Sequence, residues 1–246
     1  PSLITRDDIR GDLQCHTTDS DGRDTLEAMA AAAEALGYEY LAITDHTPTV
    51  RIAGGLDRAG FRAQRKRIDA LNAKLRSLTL LAGAEVDIHA DGRLDLDDAT
   101  LAGLDLVIVA LHTKLDLPPA EQTRRVLRAL EHPSVDLFAH PTSRLLRGRK
   151  GAAFDLDAVI AAAADHGVML EIDAQPERLD LDDVSARAAA ERGVMLAIDT
   201  DAHAASELGL MRWGIDQARR AWVTPRSVAN TRPLDQLLPL LHRGRR

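Results

Sequence analysis

Residues that bind divalent metals recur in this sequence directly after short apolar runs. Residues 11–22 (GDLQCHTTDSDG) contain Gln14, His16 and Asp21, and residues 199–203 (DTDAH) contain Asp201 and His203. Imidazole and carboxylate donors without thiolates suit Zn²⁺, Mn²⁺ or Fe²⁺ rather than a cysteine-rich structural zinc site. The two segments therefore predict a metal centre, provided that the fold brings them together.

Nearly every apolar run of this kind ends in a histidine or a carboxylate. The histidines at these ends are His16, His46, His112, His140 and His203. The carboxylates at these ends are Asp45, Glu85, Asp87, Glu171, Asp173, Asp199 and Asp201. Because independent placement rarely puts five histidines at successive strand ends, we interpret the histidines as ligands rather than as isolated core or surface residues.

The order of apolar and helical segments predicts how these ends are positioned. Seven strand-like runs alternate with helical segments, from residues 9–16 to residues 194–203. Nearly continuous apolar strands are typical of a parallel sheet that is covered on both faces. Strict alternation over this length favours closure into an α/β barrel, in which the C-terminal ends of the strands form one bowl. The sequence therefore predicts one domain over residues 1–246, with the metal site at that end.

The single cysteine, Cys15, lies between two candidate ligands, Gln14 and His16. Alternation along a strand places Gln14 and His16 on one face and Cys15 on the other. This predicts that Cys15 is a small packed residue rather than a metal ligand. A single cysteine cannot form an internal disulfide, and such a low cysteine content suits a reducing cytosol.

Composition argues against several classes of function. The chain is 45% hydrophobic with a net charge of −7, and no apolar run approaches the ~20 residues that cross a membrane. An acidic chain is unusual for a general nucleic-acid binder. Basic residues nevertheless cluster at residues 62–67, 144–150 and 243–246. The first and last are typical of a solvated helix face and a tail, whereas the second closely follows the candidate ligand His140.

The ordered motifs GDLQCHTTDSDG, LAITDH, GAEVDI, VALHT, AHP and DTDAH resemble those of the PHP (polymerase and histidinol phosphatase) superfamily. The segments DIRGDLQ, EIDAQPERLDLDD and AWVTPRSVANTRPLDQLLPLL are most similar to the C-terminal PHP domain of bacterial family X DNA polymerases. The resemblance implies a distorted, TIM-like (β/α)7 barrel. It also implies that residues 1–8 are a linker remnant, that residues 233–246 form a C-terminal helix and tail, and that a polymerase portion of the full-length chain precedes this domain.

The resemblance further implies three divalent ions, Mn²⁺ and/or Zn²⁺ with Fe²⁺ as an alternative, around the catalytic residues His16, Glu85 and Asp201. The first ion would take Gln14, His16, Glu85 and Asp201. The second would take Glu85, His112 and His140, and the third would take Asp21, His46 and His203. Many family members have a histidine where this chain has Gln14. Because an amide oxygen is a harder ligand than imidazole, we expect the first site to favour Mn²⁺ over Zn²⁺.

The activity implied by the resemblance is hydrolysis of DNA phosphodiesters: a 3′→5′ exonuclease and 3′-end processing in DNA repair, with cleavage at abasic sites or removal of 3′ phosphates. The implied partners are DNA 3′ ends and the polymerase portion, and the implied location is the cytoplasm, at the nucleoid. We expect a monomer. The candidate phosphate-binding residues are Arg144, Arg147, Arg149, Lys150 and Arg178, although Arg178 is equally well explained by an ion pair with a neighbouring aspartate.

Two alternatives share the same ligands. One is a small-molecule phosphatase of the histidinol-phosphate type, which the ligands alone do not exclude. The other is a non-catalytic structural module, because some polymerase-linked PHP domains have lost metal ligands. Here one position differs from the family, and its residue, Gln14, still has an oxygen that can coordinate. The sequence therefore favours a catalytic domain.

Overall fold

A computed structural model describes residues 2–241 of the chain. These residues contain seven parallel strands that are hydrogen-bonded in the order β1 to β7, which confirms the predicted nearly closed α/β barrel. The strands are β1 (Gly11–Asp12), β2 (Tyr40–Ile43), β3 (Thr79–Asp87), β4 (Leu106–Ala110), β5 (Leu137–Phe138), β6 (Met169–Asp173) and β7 (Leu196–Asp199). Each strand is followed by a helical segment, so all seven C-terminal ends lie on one side of the barrel.

The helices follow the predicted alternation. They are α1 (Leu26–Ala35), α2 (Arg58–Asn72), α3 (Asp98–Leu101), α4 (Pro119–Leu130), α5 (Leu156–His166), α6 (Asp183–Glu191), α7 (Met211–Arg220) and α8 (Leu234–Leu237). The helix α2 begins at Arg58 because Asp57 is its N-cap and accepts a hydrogen bond from Gly60 N. Gly167 ends α5 in the left-handed conformation, with φ of +67°, which glycine adopts without steric cost.

The barrel strands are buried on both faces, because helices cover the outside and side chains fill the inside. Leu81, Ile108 and Leu137 belong to the interior cluster, which lies beneath the metal-ligand candidates. Cys15 lies in the other cluster, shared by strands and helices, and its Sγ contacts the carbonyl oxygen of Ala42 at 3.2 Å. The prediction that Cys15 is a packed residue is therefore confirmed.

The seam between β7 and β1 is closed by side chains rather than by a regular ladder. Asp199 Oδ1 accepts a hydrogen bond from Leu13 N at 2.8 Å. The buried Asn230 donates from Nδ2 to the carbonyls of Gly11 and Ile198, and its Oδ1 accepts from Ile198 N. One amide from the segment after α7 therefore replaces several ladder hydrogen bonds between the first and last strands.

We expect Asn230→Ala to lower the free energy of unfolding by about 3 kcal/mol. The reason is that several buried backbone groups lose a partner at once, at ~1–3 kcal/mol each. Urea unfolding measures this loss. Asn72→Ala is a matched control: Asn72 bridges the N–H and C=O of Leu80, but in a half-exposed position. An equal, small loss in both variants would contradict the role of Asn230 in closing the barrel.

Residues near both ends of the described range pack against the rest of the domain. Ile4 is buried, and its N–H donates to Val223 O at 3.2 Å, while Leu237 and Leu241 belong to the interior cluster. The described part of the predicted C-terminal helix and tail contains one short α-helix, α8, and the prediction that residues 1–8 are a linker remnant stays a prediction. Pro1 and residues 242–246, which include the basic cluster at 243–246, lie outside the described residues. Within residues 2–241, no helix is long and apolar enough to span a membrane.

Candidate metal centre

The carboxylate of Glu85, at the end of β3, lies at the centre of a group of imidazoles. Its Oε1 is 2.9 Å from His140 Nε2 and 3.1 Å from His112 Nε2. Its Oε2 is 3.3 Å from His16 Nε2 and 3.4 Å from His46 Nδ1. Glu85 is fully buried. Four histidines from four strand ends therefore meet one carboxylate, as expected if the strand ends converge.

Three groups of side chains bring ligand atoms within 4.8 Å of one another. One is His16, Glu85 and Asp201, which matches the first predicted ligand set apart from Gln14. The second contains Glu85 and His112 with His46 in place of the expected His140. The third contains the expected Asp21, His46 and His203, joined by His16. His140 contacts the carboxylate of Glu85 but is not a member of these groups.

Gln14 lies beside the first group. Its Nε2 donates to Asp201 Oδ1 at 3.3 Å, and the same oxygen is 3.0 Å from His16 Nε2. Asp201 has a positive φ of +48°, an uncommon conformation that Asp tolerates better than most residues. The turn after β7 thus directs this carboxylate toward the ends of β1 and β3.

Several buried polar atoms of this cluster have no hydrogen-bond partner among residues 2–241. They are Gln14 Oε1, His16 Nδ1, His46 Nδ1, Glu85 Oε2 and His140 Nδ1. Buried polar atoms are normally satisfied, so a concentration of unsatisfied ligand atoms requires an explanation. Divalent cations fit these donors, because all of the donors are nitrogen or oxygen atoms of known ligand types.

Two histidines are oriented by groups behind them. The Nδ1 of His112 is 3.2 Å from Asp87 Oδ1, and the Nδ1 of His203 is 2.8 Å from the carbonyl oxygen of Asp201. Thr113 donates a further hydrogen bond to Asp87. In both histidines Nε2 therefore faces the cluster, an arrangement typical of metal-binding histidines.

The electrostatics of the cluster favour the ionised form of Glu85. Burial would raise the pKa of Glu85, but the neighbouring imidazoles outweigh burial and hold that pKa well below its ordinary value. Burial likewise opposes protonation of His16, yet its contacts with Asp201 and Glu85 raise its pKa well above the ordinary value. Protons and divalent cations thus compete for the same positions, because both neutralise the carboxylates.

A second set of acids lies next to the cluster and is much less stable as anions. Burial, followed by repulsion from neighbouring carboxylates, raises the pKa values of Glu171 and Asp173 well above the ordinary range. Burial and then Asp12 do the same for Asp199. Asp12 itself has a pKa raised to about 6 by burial. These side chains are strand-end acids, but they are not members of the three ligand groups described above.

Asp180, on the loop after β6, gives a pH-dependent test of the fold. Burial raises its pKa from 3.8 to about 6, although Thr142 donates two hydrogen bonds to it. A carboxyl with a higher pKa in the folded state contributes stability at low pH that is lost between about 3.8 and 6. Asp180→Asn removes this effect. The difference in unfolding free energy, variant minus wild type, should therefore increase by roughly 2 kcal/mol from pH 4 to pH 7. Urea unfolding at both pH values measures this gain, and a pH-independent difference would contradict it.

The structure places the five predicted phosphate-binding residues in different environments. Arg178 Nε is 3.4 Å from Asp173 and 3.9 Å from Asp201, so it adjoins the metal cluster. Arg144 is engaged elsewhere, donating to the carbonyls of Arg178 and Leu179. Arg149 donates from Nε to a backbone carbonyl at 3.2 Å. Arg147 and Lys150 are exposed on the same loop.

The support for the first loop was missed in the sequence. Asp45, at the end of β2, accepts hydrogen bonds from Thr17, Ser20 and Gln64 and thereby holds the loop that carries Asp21. Gln64 is a buried polar residue on α2, and no local pattern distinguished it from the exposed polar residues around it. The structural role of Asp12, which accepts a hydrogen bond from Thr200, was missed for the same reason.

Comparison with known proteins identifies the family to which this chain belongs. The family model described as "PHP domain" matches residues 12–175. The chain belongs to the PHP domain family. It is 41% identical over 242 residues to the DNA polymerase/3′-5′ exonuclease PolX of Bacillus subtilis, covering 98% of this chain and 42% of that protein. This confirms the predicted likeness to the PHP domain of family X polymerases.

Two further comparisons extend the likeness beyond polymerases. A probable phosphatase of Syntrophotalea carbinolica is 26% identical over 240 residues, which cover 94% of this chain and 95% of that protein. A histidinol phosphate phosphatase from Lactococcus lactis, solved with zinc, L-histidinol and phosphate, shares the fold with a TM-score of 0.58 and 16% identity. That likeness covers 85% of this chain and 93% of the phosphatase. Membership of the PHP family makes this a hydrolase domain of the metal-dependent phosphoesterase class.

Proposed function

We propose that this domain hydrolyses DNA phosphodiesters from the 3′ end, as a metal-dependent 3′→5′ exonuclease and 3′-end processing activity in DNA repair. The observation that supports this most strongly is the Glu85 cluster, a buried carboxylate with four imidazoles within 3.4 Å. The likeness to the Bacillus polymerase and exonuclease supports DNA as the substrate. We place the activity in the cytoplasm, at the nucleoid, within a longer chain that includes a polymerase portion.

The proposed ligands are the nine residues predicted from the sequence. They are Gln14, His16, Asp21, His46, Glu85, His112, His140, Asp201 and His203. Divalent ions held by these residues, Mn²⁺ and/or Zn²⁺ or Fe²⁺, would make water acidic enough to supply a nucleophile and would neutralise phosphate charge. Glu85 would join two of the sites, and Asp87 and the backbone of Asp201 would fix the orientation of the histidines behind them.

Arg178 supplies the fixed positive charge of the proposed phosphate site. Its Nη1 is buried and has no hydrogen-bond partner among the described residues, although its Nε faces Asp173 and Asp201. A guanidinium that is anchored through one nitrogen can direct another toward a phosphate oxygen. Arg144 would act indirectly, because its hydrogen bonds to the carbonyls of Arg178 and Leu179 hold this loop in place.

A direct assay separates this function from its rival. The protein, supplied with Mn²⁺, is given a 5′-labelled duplex with a recessed 3′ end and, separately, histidinol phosphate. We expect a ladder of shortened strands, with little phosphate released from histidinol phosphate. The likeness to probable phosphatases over nearly the full chain makes small-molecule phosphatase activity the second candidate. Preferential release of phosphate from histidinol phosphate would therefore overturn the proposal in favour of that candidate.

The contribution of the basic loop to DNA binding is tested separately. Charge reversal at Arg147 and Arg149 should reduce hydrolysis of DNA while sparing a small phosphodiester such as bis(4-nitrophenyl) phosphate, because only DNA extends beyond the metal centre. An equal loss on both substrates would show instead that the substitutions damage the centre itself.

Gln14 is expected to set the metal preference of the first site. An imidazole at this position is a softer ligand than the amide oxygen, so Gln14→His should raise the affinity for Zn²⁺ relative to Mn²⁺, by about tenfold. Titration of metal-free protein with each ion measures the ratio of the two affinities. Cys15→Ser, at a packed neighbouring position, serves as the control. An unchanged ratio in Gln14→His would indicate that residue 14 is not a ligand.

A further inference from the structure

The loops around the bowl differ sharply in charge. Three of them follow β2, β4 and β5 and span residues 47–55, 112–118 and 143–150. Their charged residues are Arg51, Lys114, Asp116, Arg144, Arg147, Arg149 and Lys150. Six of these seven are basic, in a chain whose net charge is −7. The loops after β6 and β1 are instead acidic, because residues 174–182 and 17–25 each contain three acids and one arginine.

The three basic loops lie on one side of the bowl, with the loop after β3 between the first two, and we name them the basic rim. Thr47, on the first loop, accepts a hydrogen bond from Asp87 N, and Asp87 Oδ1 accepts one from His112 N on the second. Ser143, on the third loop, donates to Leu111 O at 2.7 Å, next to the second. The basic rim is thus adjacent to the ligands His46, His112 and His140, from which its three loops continue.

The loop after β3 lies between the first two and contains acids, but each of these acids is engaged. Asp91 pairs with Arg93 at 2.7 Å, and Asp95 is 3.3 Å from His89 Nε2. Asp97 caps α3. By contrast, the side chains of four cations of the basic rim form no hydrogen bond or ion pair with any residue from 2 to 241. These exposed cations are Arg51, Lys114, Arg147 and Lys150.

Two large apolar side chains stand exposed among these cations. Ile52, next to Arg51, is fully exposed, and Leu146, next to Arg147, is 53% exposed. Apolar side chains of this size would gain free energy if they were buried against another apolar surface instead of facing water. Cations that alternate with apolar surface match single-stranded nucleic acid, in which phosphates and unstacked base faces alternate.

We propose that the basic rim is a binding track for one nucleic-acid strand on its way to the metal centre. Arg51, Lys114, Arg147 and Lys150 bind successive phosphates, and Ile52 packs against the face of an unstacked base, as apolar side chains do in other nucleic-acid complexes. This inference rests on the proposed function, since it assigns a path to the same substrate. It adds Lys114, Arg51 and Ile52 to the residues that contact the substrate.

Equilibrium binding tests the track without depending on hydrolysis. Fluorescence anisotropy in EDTA follows a labelled 12-nucleotide single strand and an abasic strand of the same length. Arg51→Ala and Lys114→Ala should each raise Kd on both strands by about fivefold and reduce the salt slope by ~0.7. Ile52→Ala should raise Kd about threefold on the normal strand and leave Kd on the abasic strand unchanged, because the abasic strand has no base face.

Two matched controls complete the design. Arg76→Ala changes an exposed arginine between α2 and β3, on the opposite side of the barrel. Val184→Ala changes a side chain of α6 that is 76% exposed. Rim variants that bind both strands as tightly as these controls would overturn the track. If the rim variants weaken binding as expected but the wild type with Mn²⁺ leaves DNA uncut, the proposed nuclease fails and the track stands. If the wild type cuts DNA but the rim variants bind as tightly as the controls, the track fails and the proposed nuclease stands.

Discussion

Glu85→Gln is expected to lower the rate of phosphodiester hydrolysis by at least ~10³-fold and to reduce the metal content of the purified protein. Glu85 is buried and lies within 3.4 Å of nitrogen atoms of four histidines, so its charge contributes to more than one of the ligand groups. Loss of even a residue behind the ligands typically costs 10–100-fold, and removing a shared ligand should cost more. Steady-state hydrolysis and mass-spectrometric metal analysis measure the two effects.

The control for this substitution makes the same chemical change at the surface. Glu39→Gln breaks an exposed ion pair with Arg10 and should leave both rate and metal content unchanged. Circular dichroism checks that Glu85→Gln is folded. Because the Gln side chain has nearly the same shape, a folded variant is a fair comparison. Wild-type metal content and a rate within tenfold of the wild type in Glu85→Gln would contradict the proposed centre.

Arg178→Ala should have the second-largest effect, a loss of about 10²-fold in kcat on DNA and on a small phosphodiester alike. The guanidinium is mostly buried beside Asp173 and Asp201, and one of its nitrogens is unpartnered among residues 2–241. Removing one preorganised donor to a charged transition state typically costs 10²–10³-fold. Arg178→Lys keeps the charge without the planar fork and should recover part of kcat.

The rival role for Arg178 predicts a different pattern. If the arginine only neutralises Asp173 and Asp201, its removal would lower the melting temperature and metal content but leave kcat per bound ion unchanged. Added guanidinium ions would then not restore the rate. Arg192→Ala, which breaks an exposed pair with Asp157, is the matched control. A loss of kcat with full metal content, restored by guanidinium, is the result expected from phosphate contact.

The fold was predictable to a large extent because its signals are local. Apolar runs, helix caps such as Thr25, and glycines such as Gly167 mark the ends of elements within a few residues of sequence. The closure of the barrel was not predictable in this way. Asn230 binds Gly11 and Ile198, which are 219 and 32 residues away in sequence, and no local pattern marks an asparagine that pairs across such a distance.

The site shows the same division. Parallel strands bring their C-terminal ends together, so the convergence of the side chains at these ends, including His16 and Glu85, was predictable from sequence. The detailed grouping was not, because it depends on loop geometry. His46 is a member of the Glu85–His112 group, whereas His140, with a positive φ of +26°, contacts Glu85 Oε1 at 2.9 Å but is not a member of that group. The position of Arg144 was not predictable either, because it depends on a neighbouring loop whose carbonyls it binds.

Anomalous diffraction can show whether the strand-end imidazoles and carboxylates hold divalent ions around Glu85. Crystals grown with Mn²⁺ are measured on both sides of the manganese absorption edge. We expect anomalous peaks within about 2.5 Å of Glu85 and of the nearest histidine nitrogens. Crystals that contain Mn²⁺ elsewhere, or none at all, with no peak among these side chains would show that they do not form a metal centre.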